Sequence, residues 1–136
     1  MSARRVIVMT TAIYAVFGAA LALFGPSMLR LYGFPPQPTV DIPFVAWWSA
    51  ASFVRLFGIA LAGLATIAWS LRSSDQRAQQ KLVASLAVAN VFLAVFSFGQ
   101  WRSVWNTSFG IITVFIFGFL ALLSLIRVAE SQRDLG

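Results

Sequence analysis

The chain has 136 residues, of which 60% are hydrophobic and 10% are charged. Soluble domains carry about 25% charged residues, so this composition argues against a water-soluble globule. Cysteine and histidine are both absent, which excludes disulfides, zinc or haem sites built on those side chains, and nucleophile pairs of the Ser-His or Cys-His type. A net charge of +6 is compatible with nucleic-acid binding. In a membrane protein, however, an excess of basic residues usually indicates which loops face the cytoplasm.

Four apolar stretches, in chain order, reach the roughly 20 residues that a transmembrane helix needs. They cover about residues 6–24, 44–71, 82–100 and 107–126. The second stretch is longer than a bilayer requires, and the tryptophans near its two ends, Trp47, Trp48 and Trp69, are typical of an aromatic belt. We therefore predict an all-α fold, a single membrane domain over residues 1–136 that forms a bundle of four antiparallel transmembrane helices.

The only long connection follows the first stretch, from Gly25 to Pro43. Pro26 suits the first turn of a helix, and an apolar strip surrounds Arg30. These features predict a short amphipathic helix over residues 26–33 in the outer membrane interface. The proline-rich run 35–38 then predicts a stiff, extended return to the second span. A lid over the outer mouth of the bundle and simple packing are both open interpretations of this loop.

The basic residues are distributed unequally between the two sides of the predicted bundle. Two of them, Arg30 and Arg102, lie on one side. Seven lie on the other, in the tails and the second loop: Arg4, Arg5, Arg72, Arg77, Lys81, Arg127 and Arg133. The positive-inside rule places the richer side in the cytoplasm. We therefore expect a multi-pass protein of the bacterial inner membrane with both termini cytoplasmic.

Arg55 is the one charged residue that falls inside a predicted span. It follows Trp47 by eight residues, which places it about 12 Å below the outer interface, beyond the reach of a side chain of about 6–7 Å. An arginine near the centre of a span costs at least about 2.5–3.5 kcal/mol on insertion scales and usually faces the protein interior. Ser52 and Gly58 flank Arg55 at helical spacing, so we expect its side chain to point into the bundle.

Three further polar residues are predicted at the level of Arg55, namely Tyr14, Asn90 and Thr113, each on a helix face with small residues. Small residues let transmembrane helices approach closely, and polar side chains then form hydrogen bonds between them. The sequence therefore predicts one polar layer made of Tyr14, Arg55, Asn90 and Thr113, with Ser52 beside it. The layer contains no acid, because all four acidic residues lie in loops or tails.

Three interpretations of this layer remain open. It holds the bundle together, it binds an anionic or carbonyl-bearing ligand such as a lipid, a fatty acid or a quinone, or it conducts a small anion. A buried cation without a counter-charge is an arrangement that an anion completes. The 13 phenylalanines also allow an aromatic pocket for a flat ligand, although lipid-facing positions account for most of them.

The leading functional prediction is a non-enzymatic integral membrane protein that binds an apolar or amphiphilic ligand, or a partner subunit, around Arg55. A small anion channel or transporter is the alternative. No cofactor, metal or catalytic residue is expected, and nucleic acid is not an expected partner because the basic residues form no continuous face. Leftover small residues, among them Ala19, Gly63 and Ala65, would permit a homodimer or a partner membrane subunit.

Two short motifs resemble a known group of proteins. The segment Phe53-Val-Arg-Leu-Phe-Gly-Ile-Ala-Leu-Ala-Gly63 contains Arg-x-x-Gly, and Leu31-Tyr32-Gly33 follows shortly after Pro26. Both are similar to segments of small bacterial four-helix membrane proteins that are loosely DoxX-like and mostly of unknown function. The resemblance implies a bacterial inner-membrane four-helix bundle. Because DoxX-like proteins have been linked to quinone-dependent membrane redox complexes, it also implies a third function, an accessory subunit of such a complex. It carries over no catalytic residue.

Overall fold

The computed structural model describes residues 2–103 and 106–133 of the chain. The described part is all-helical, with four long helices in the order α1 (Ala3–Leu31), α2 (Phe44–Leu71), α3 (Gln76–Ser103) and α4 (Ser108–Arg133). Each of them is long and apolar enough to cross a membrane. The prediction of an all-α chain with four apolar helices is confirmed, and the four helices suggest a multi-pass membrane protein.

Polar side chains cap the starts of three helices. The backbone N–H groups of Arg5, Ala78 and Gly110 donate to side-chain oxygens three residues earlier, those of Ser2, Asp75 and Thr107, respectively. Such caps satisfy backbone N–H groups that have no partner within the helix. The helices therefore begin where a capping residue precedes the apolar stretch, and α1 and α3 begin before the predicted spans.

Helix α1 continues past Gly25 and Pro26, where the first span is predicted to end. A kink marks this point, because Phe24 leaves the helical conformation with φ −116° and ψ 27°. Proline has no N–H to donate and its ring clashes with the preceding turn, so a kink just before Pro26 is expected. Residues 26–31 are helical but form the last part of α1, so the short helix predicted over residues 26–33 is not a separate element. Their place in a membrane interface stays a prediction.

The end of α1 is closed by a glycine turn. Gly33 has a positive φ of 86°, a conformation that glycine adopts without strain. The N–H of Gly33 donates to the Arg30 carbonyl and that of Phe34 to the Leu29 carbonyl, at 2.9 and 3.0 Å. This pair of bonds is a Schellman motif, and Tyr32, immediately before the glycine, is buried.

The four helices are arranged as two closely packed pairs, α1 with α2 and α3 with α4. Between the pairs the contacts are sparse and run mainly through α1; within the described residues, α2 touches α3 little and does not touch α4. Ala3, Lys81 and Arg127 line one cleft, so the starts of α1 and α3 lie beside the end of α4. We call this the terminal end of the bundle and the opposite end, near Gly33 and Thr107, the loop end.

Glycines bring the backbones of α1 and α2 into direct contact. A Cβ atom added to Gly18 would lie 2.7 Å from the Ala62 nitrogen and 2.8 Å from the Gly58 oxygen. A Cβ added to Gly58 would in turn clash with the backbone of Gly18 and Ala22. Only glycine fits at both positions, and the close approach gives the two helices extensive van der Waals contact.

Candidate functional site

Arg55 does not point into the bundle as expected. The residue is exposed, as is Ser52 on the preceding turn. The stem of Arg55 lies across α1, where a Cβ atom added to Gly25 would be 2.9 Å from the Arg55 Cγ. Within the described parts of the chain, its guanidinium makes no hydrogen bond or ion pair. The expectation of a buried arginine in a polar layer is therefore wrong for this chain.

The depth of Arg55 explains the difference. Arg72, at the end of α2, follows Arg55 by 17 residues, or about 25 Å of helix, close to the roughly 30 Å of a bilayer's hydrocarbon core. Arg55 also contacts Gly25, which directly follows the α1 kink at Phe24. Counting from Trp47 overestimates the depth, because all four helices are longer than a bilayer requires and the first turns of α2 can extend beyond it. Because Arg55 lies near the loop end, its side chain can extend to the membrane–water interface.

A buried relay of hydrogen bonds joins the two helix pairs in the terminal half of the bundle. The Tyr14 hydroxyl donates to Asn90 Oδ1 at 2.8 Å, and Asn90 Nδ2 donates to Ser124 Oγ at 3.1 Å. Ser124 Oγ in turn donates to the Leu120 carbonyl at 2.7 Å. The three side chains are completely buried. The structure thus brings Tyr14 and Asn90 together, as predicted, with Ser124 as a third member that was not predicted.

Thr113 belongs to a separate cluster nearer the loop end. The Thr113 hydroxyl donates to the Phe109 carbonyl at 2.9 Å. Because a hydroxyl has only one proton, Thr113 must be the acceptor in its other bond, and the Tyr32 hydroxyl donates to it at 2.9 Å. Burial raises the pKa of Tyr32, and the bond to Thr113 lowers it by less, so the phenol stays protonated at neutral pH. Thr113 and Ser124 are 11 residues apart on α4, about 16 Å. The predicted single layer is thus two clusters, and Arg55 is in neither.

Replacing Asn90 with leucine is expected to destabilise the protein by about 1–2 kcal/mol. The substitution leaves the Tyr14 hydroxyl without its acceptor and removes the donor to Ser124. The measurement is unfolding in mixed detergent with increasing dodecyl sulfate, followed by helical circular dichroism. Ser85→Ala is the control on the same helix, because that exposed hydroxyl bonds only to its own helix. Equal stability of the two variants would contradict the relay.

An open cavity with a volume of about 600 Å³ lies between the two helix pairs. Its walls are mostly aromatic, with six phenylalanines from all four helices: Phe17, Phe53, Phe57, Phe92, Phe96 and Phe117. Phe53 on α2 and Phe92 on α3 are each 71% exposed, whereas Leu21, Leu29 and Phe117 on α1 and α4 are buried. The cavity therefore has a floor on α1 and α4 and opens between α2 and α3, where the helices touch little.

One hydroxyl in this cavity has no partner. Ser97 lines the cavity and is only 3% exposed. Ser85 and Ser103, on the same helix, each donate to the carbonyl four residues earlier, but the Ser97 hydroxyl makes no hydrogen bond to any residue that the structure describes. Buried polar groups are normally paired, so an unpaired hydroxyl on the wall of an apolar cavity is a candidate contact for a ligand oxygen.

The described chain offers few other groups for binding or catalysis. No group of three or more acidic, cysteine or histidine side chains that could hold a metal occurs within residues 2–103 and 106–133. Comparisons with protein-family models, with curated proteins and with solved structures found no match. The resemblance to DoxX-like proteins accordingly stays a prediction. The aromatic cavity with its free hydroxyl is therefore the best-formed candidate site.

Proposed function

We propose that this chain is a multi-pass protein of the bacterial inner membrane that binds an apolar or amphiphilic molecule between its two helix pairs. The observation that carries the proposal is the aromatic cavity of about 600 Å³, which opens between α2 and α3. Ligand sites typically have about 300–1,000 Å³ and apolar walls with a few placed polar groups. The cavity has these properties, with the hydroxyl of Ser97 as the unpaired polar group.

The opening determines how a ligand would arrive. Phe53 and Phe92 lie on the two helices that border the opening and are exposed, so a ligand dissolved in the bilayer enters sideways without crossing water. Phenylalanine rings pack against flat rings in offset or edge-to-face geometry and against acyl chains by area burial. The Ser97 hydroxyl then donates to a carbonyl or carboxylate oxygen. A quinone and a fatty acid both combine these features.

The cavity walls favour this ligand over a small anion. An anion pathway needs a cation or a series of polar donors along its length, and none of the cavity-lining residues is charged. Arg55 lies on the α1 side of α2, over Gly25, and is not among the lining residues. The seven basic residues on the other side of the bundle favour cytoplasmic termini. We therefore propose that Arg55 lies at the outer interface, together with Arg30, Arg102 and the helical residues 26–31.

Titration of the purified protein with two probes tests the proposal: a fluorescent long-chain fatty acid and a short-chain quinone. We expect at least one of them to bind saturably. We also expect Ser97→Ala to weaken that probe about threefold to tenfold, the equivalent of one hydrogen bond. Arg55→Gln is the control and should leave the affinity within about twofold. Failure of both probes to saturate, or a large loss in Arg55→Gln with none in Ser97→Ala, would contradict the proposal.

A further inference from the structure

A second cleft lies at the terminal end of the bundle, away from the aromatic cavity. It has a volume of about 210 Å³ and lies between the start of α1, the first turns of α3 and the last turns of α4. Lys81 and Arg127 line it, together with the polar side chains of Gln80, Ser131 and Gln132. Two cations and three further hydrogen-bonding side chains, contributed by α3 and α4, thus surround one small space.

Arg127 is held in this cleft with part of its hydrogen-bonding capacity unused. Its side chain is only 15% exposed, and its Nε is buried without any hydrogen-bond partner. Its Nη1 donates to Glu130 Oε2 at 3.5 Å, at the long limit of a hydrogen bond. A buried, unpaired donor on a charged group is costly, so an acceptor that comes within reach of Nε would be stabilising.

We propose that the cleft between Lys81 and Arg127 binds a phosphate group. A phosphate offers several charged oxygens, and guanidinium groups bind them with strong, directional hydrogen bonds. Lysine adds a second positive charge, while Ser131 and Gln132 can donate to the remaining oxygens. Glu130 carries one negative charge against the two positive charges of Lys81 and Arg127, so the cleft keeps a net attraction for an anion.

The phosphate can come from an anionic lipid headgroup or from a free phosphate compound. Lys81 directly precedes the third predicted span and Arg127 directly follows the fourth, so the cleft lies at the level where lipid phosphates are found. Ala3, Val83 and Val128 form an apolar part of its wall, against which a glycerol or acyl group would pack. The experiment separates the two sources. Its outcome is independent of the aromatic cavity, which shares no residue with this cleft.

The test measures binding of phosphatidylglycerol, diluted in a neutral detergent, and of inorganic phosphate to the purified full-length protein. At about 1 M salt the Debye length is about 3 Å, which suppresses attraction by exposed charges more than by buried ones. Under these conditions we expect Arg127→Gln to weaken binding at least about tenfold and Lys81→Gln about threefold to tenfold. Arg133→Gln, on the same helix but exposed and outside the cleft, should stay within about twofold.

Each outcome has a definite meaning. Binding of phosphatidylglycerol that inorganic phosphate does not displace supports a lipid headgroup, whereas saturable binding of inorganic phosphate itself supports a free phosphate compound. If neither phosphatidylglycerol nor inorganic phosphate binds, the proposal is overturned. It is also overturned if Arg127→Gln and Arg133→Gln weaken binding equally, because general surface charge then accounts for the binding. Lys81 is exposed, so Lys81→Gln decides the question if Arg127→Gln does not fold.

Discussion

Replacing Gly58 with alanine is expected to separate α1 from α2 and to lower the free energy of unfolding by about 1–3 kcal/mol. The added Cβ would fall onto backbone atoms of Gly18 and Ala22, and backbone cannot yield as a flexible side chain does. One helix must therefore shift along much of its length. Unfolding in mixed detergent with increasing dodecyl sulfate, followed by circular dichroism, measures the effect.

Gly63→Ala is the matched control on the same helix. A Cβ at Gly63 would have nothing within 4 Å, and alanine is the better helix former by up to about 1 kcal/mol. This variant should be as stable as the parent protein or slightly more stable. If Gly58→Ala and Gly63→Ala unfold alike, the close approach of α1 and α2 is refuted.

Filling the aromatic cavity is expected to abolish ligand binding while leaving the bundle intact. Ser97→Trp removes the unpaired hydroxyl and places a large ring in the space of about 600 Å³ that Ser97 lines. We expect the affinity for the fatty acid or quinone probe to fall at least about tenfold, because the ring excludes the ligand from its aromatic walls. Titration with the same probes measures this loss.

Val95→Trp provides the control for the added ring. Val95 is two residues away on α3, 67% exposed, and outside the cavity, so its replacement should leave binding unchanged. Equal binding by Ser97→Trp and Val95→Trp would place any ligand elsewhere on the protein. Leu93→Trp fills the same cavity from one turn away and serves if Ser97→Trp does not fold.

The four helices could be predicted from the sequence because the requirement for an apolar stretch of membrane length does not depend on packing. Their exact ends could not. Proline usually ends a helix or kinks it, and sequence alone does not distinguish the two outcomes at Pro26. In the structure the helix continues to Leu31 because the Gly33 turn closes it and Tyr32 is anchored to Thr113.

Part of the polar arrangement could also be predicted. Tyr14 and Asn90 each lie eight residues from the limit of their predicted span that is nearer the terminal end of the bundle. Comparing these depths correctly predicts that the two side chains meet. For Arg55 the method fails, because its side chain packs at the level of Gly25 on α1, 11 residues or about 16 Å of helix from Tyr14. The sequence signal for Ser124 is its helical spacing from Leu120 and Thr113, which places it on the same face of α4 as Thr113.

The phenylalanine content allows an aromatic pocket, but the sequence does not determine the cavity itself. Its existence depends on how closely the α1–α2 pair approaches the α3–α4 pair, and that distance follows from the whole bundle. Phenylalanines that line a cavity and phenylalanines that face lipid have the same sequence pattern, as Phe92 and Phe115 illustrate: both are 71% exposed, but only Phe92 lines the cavity.

Photo-crosslinking tests the central claim most directly. A fatty acid with a diazirine in its chain is bound to the purified protein and activated by light, and the labelled peptides are mapped by mass spectrometry. If the molecule binds between the helix pairs, labels concentrate on cavity residues such as Phe17, Leu93 and Phe117, and an unlabelled competitor removes them. Labels spread evenly over outward residues such as Val95 and Phe115, with no effect of the competitor, would show that the cavity holds no specific ligand.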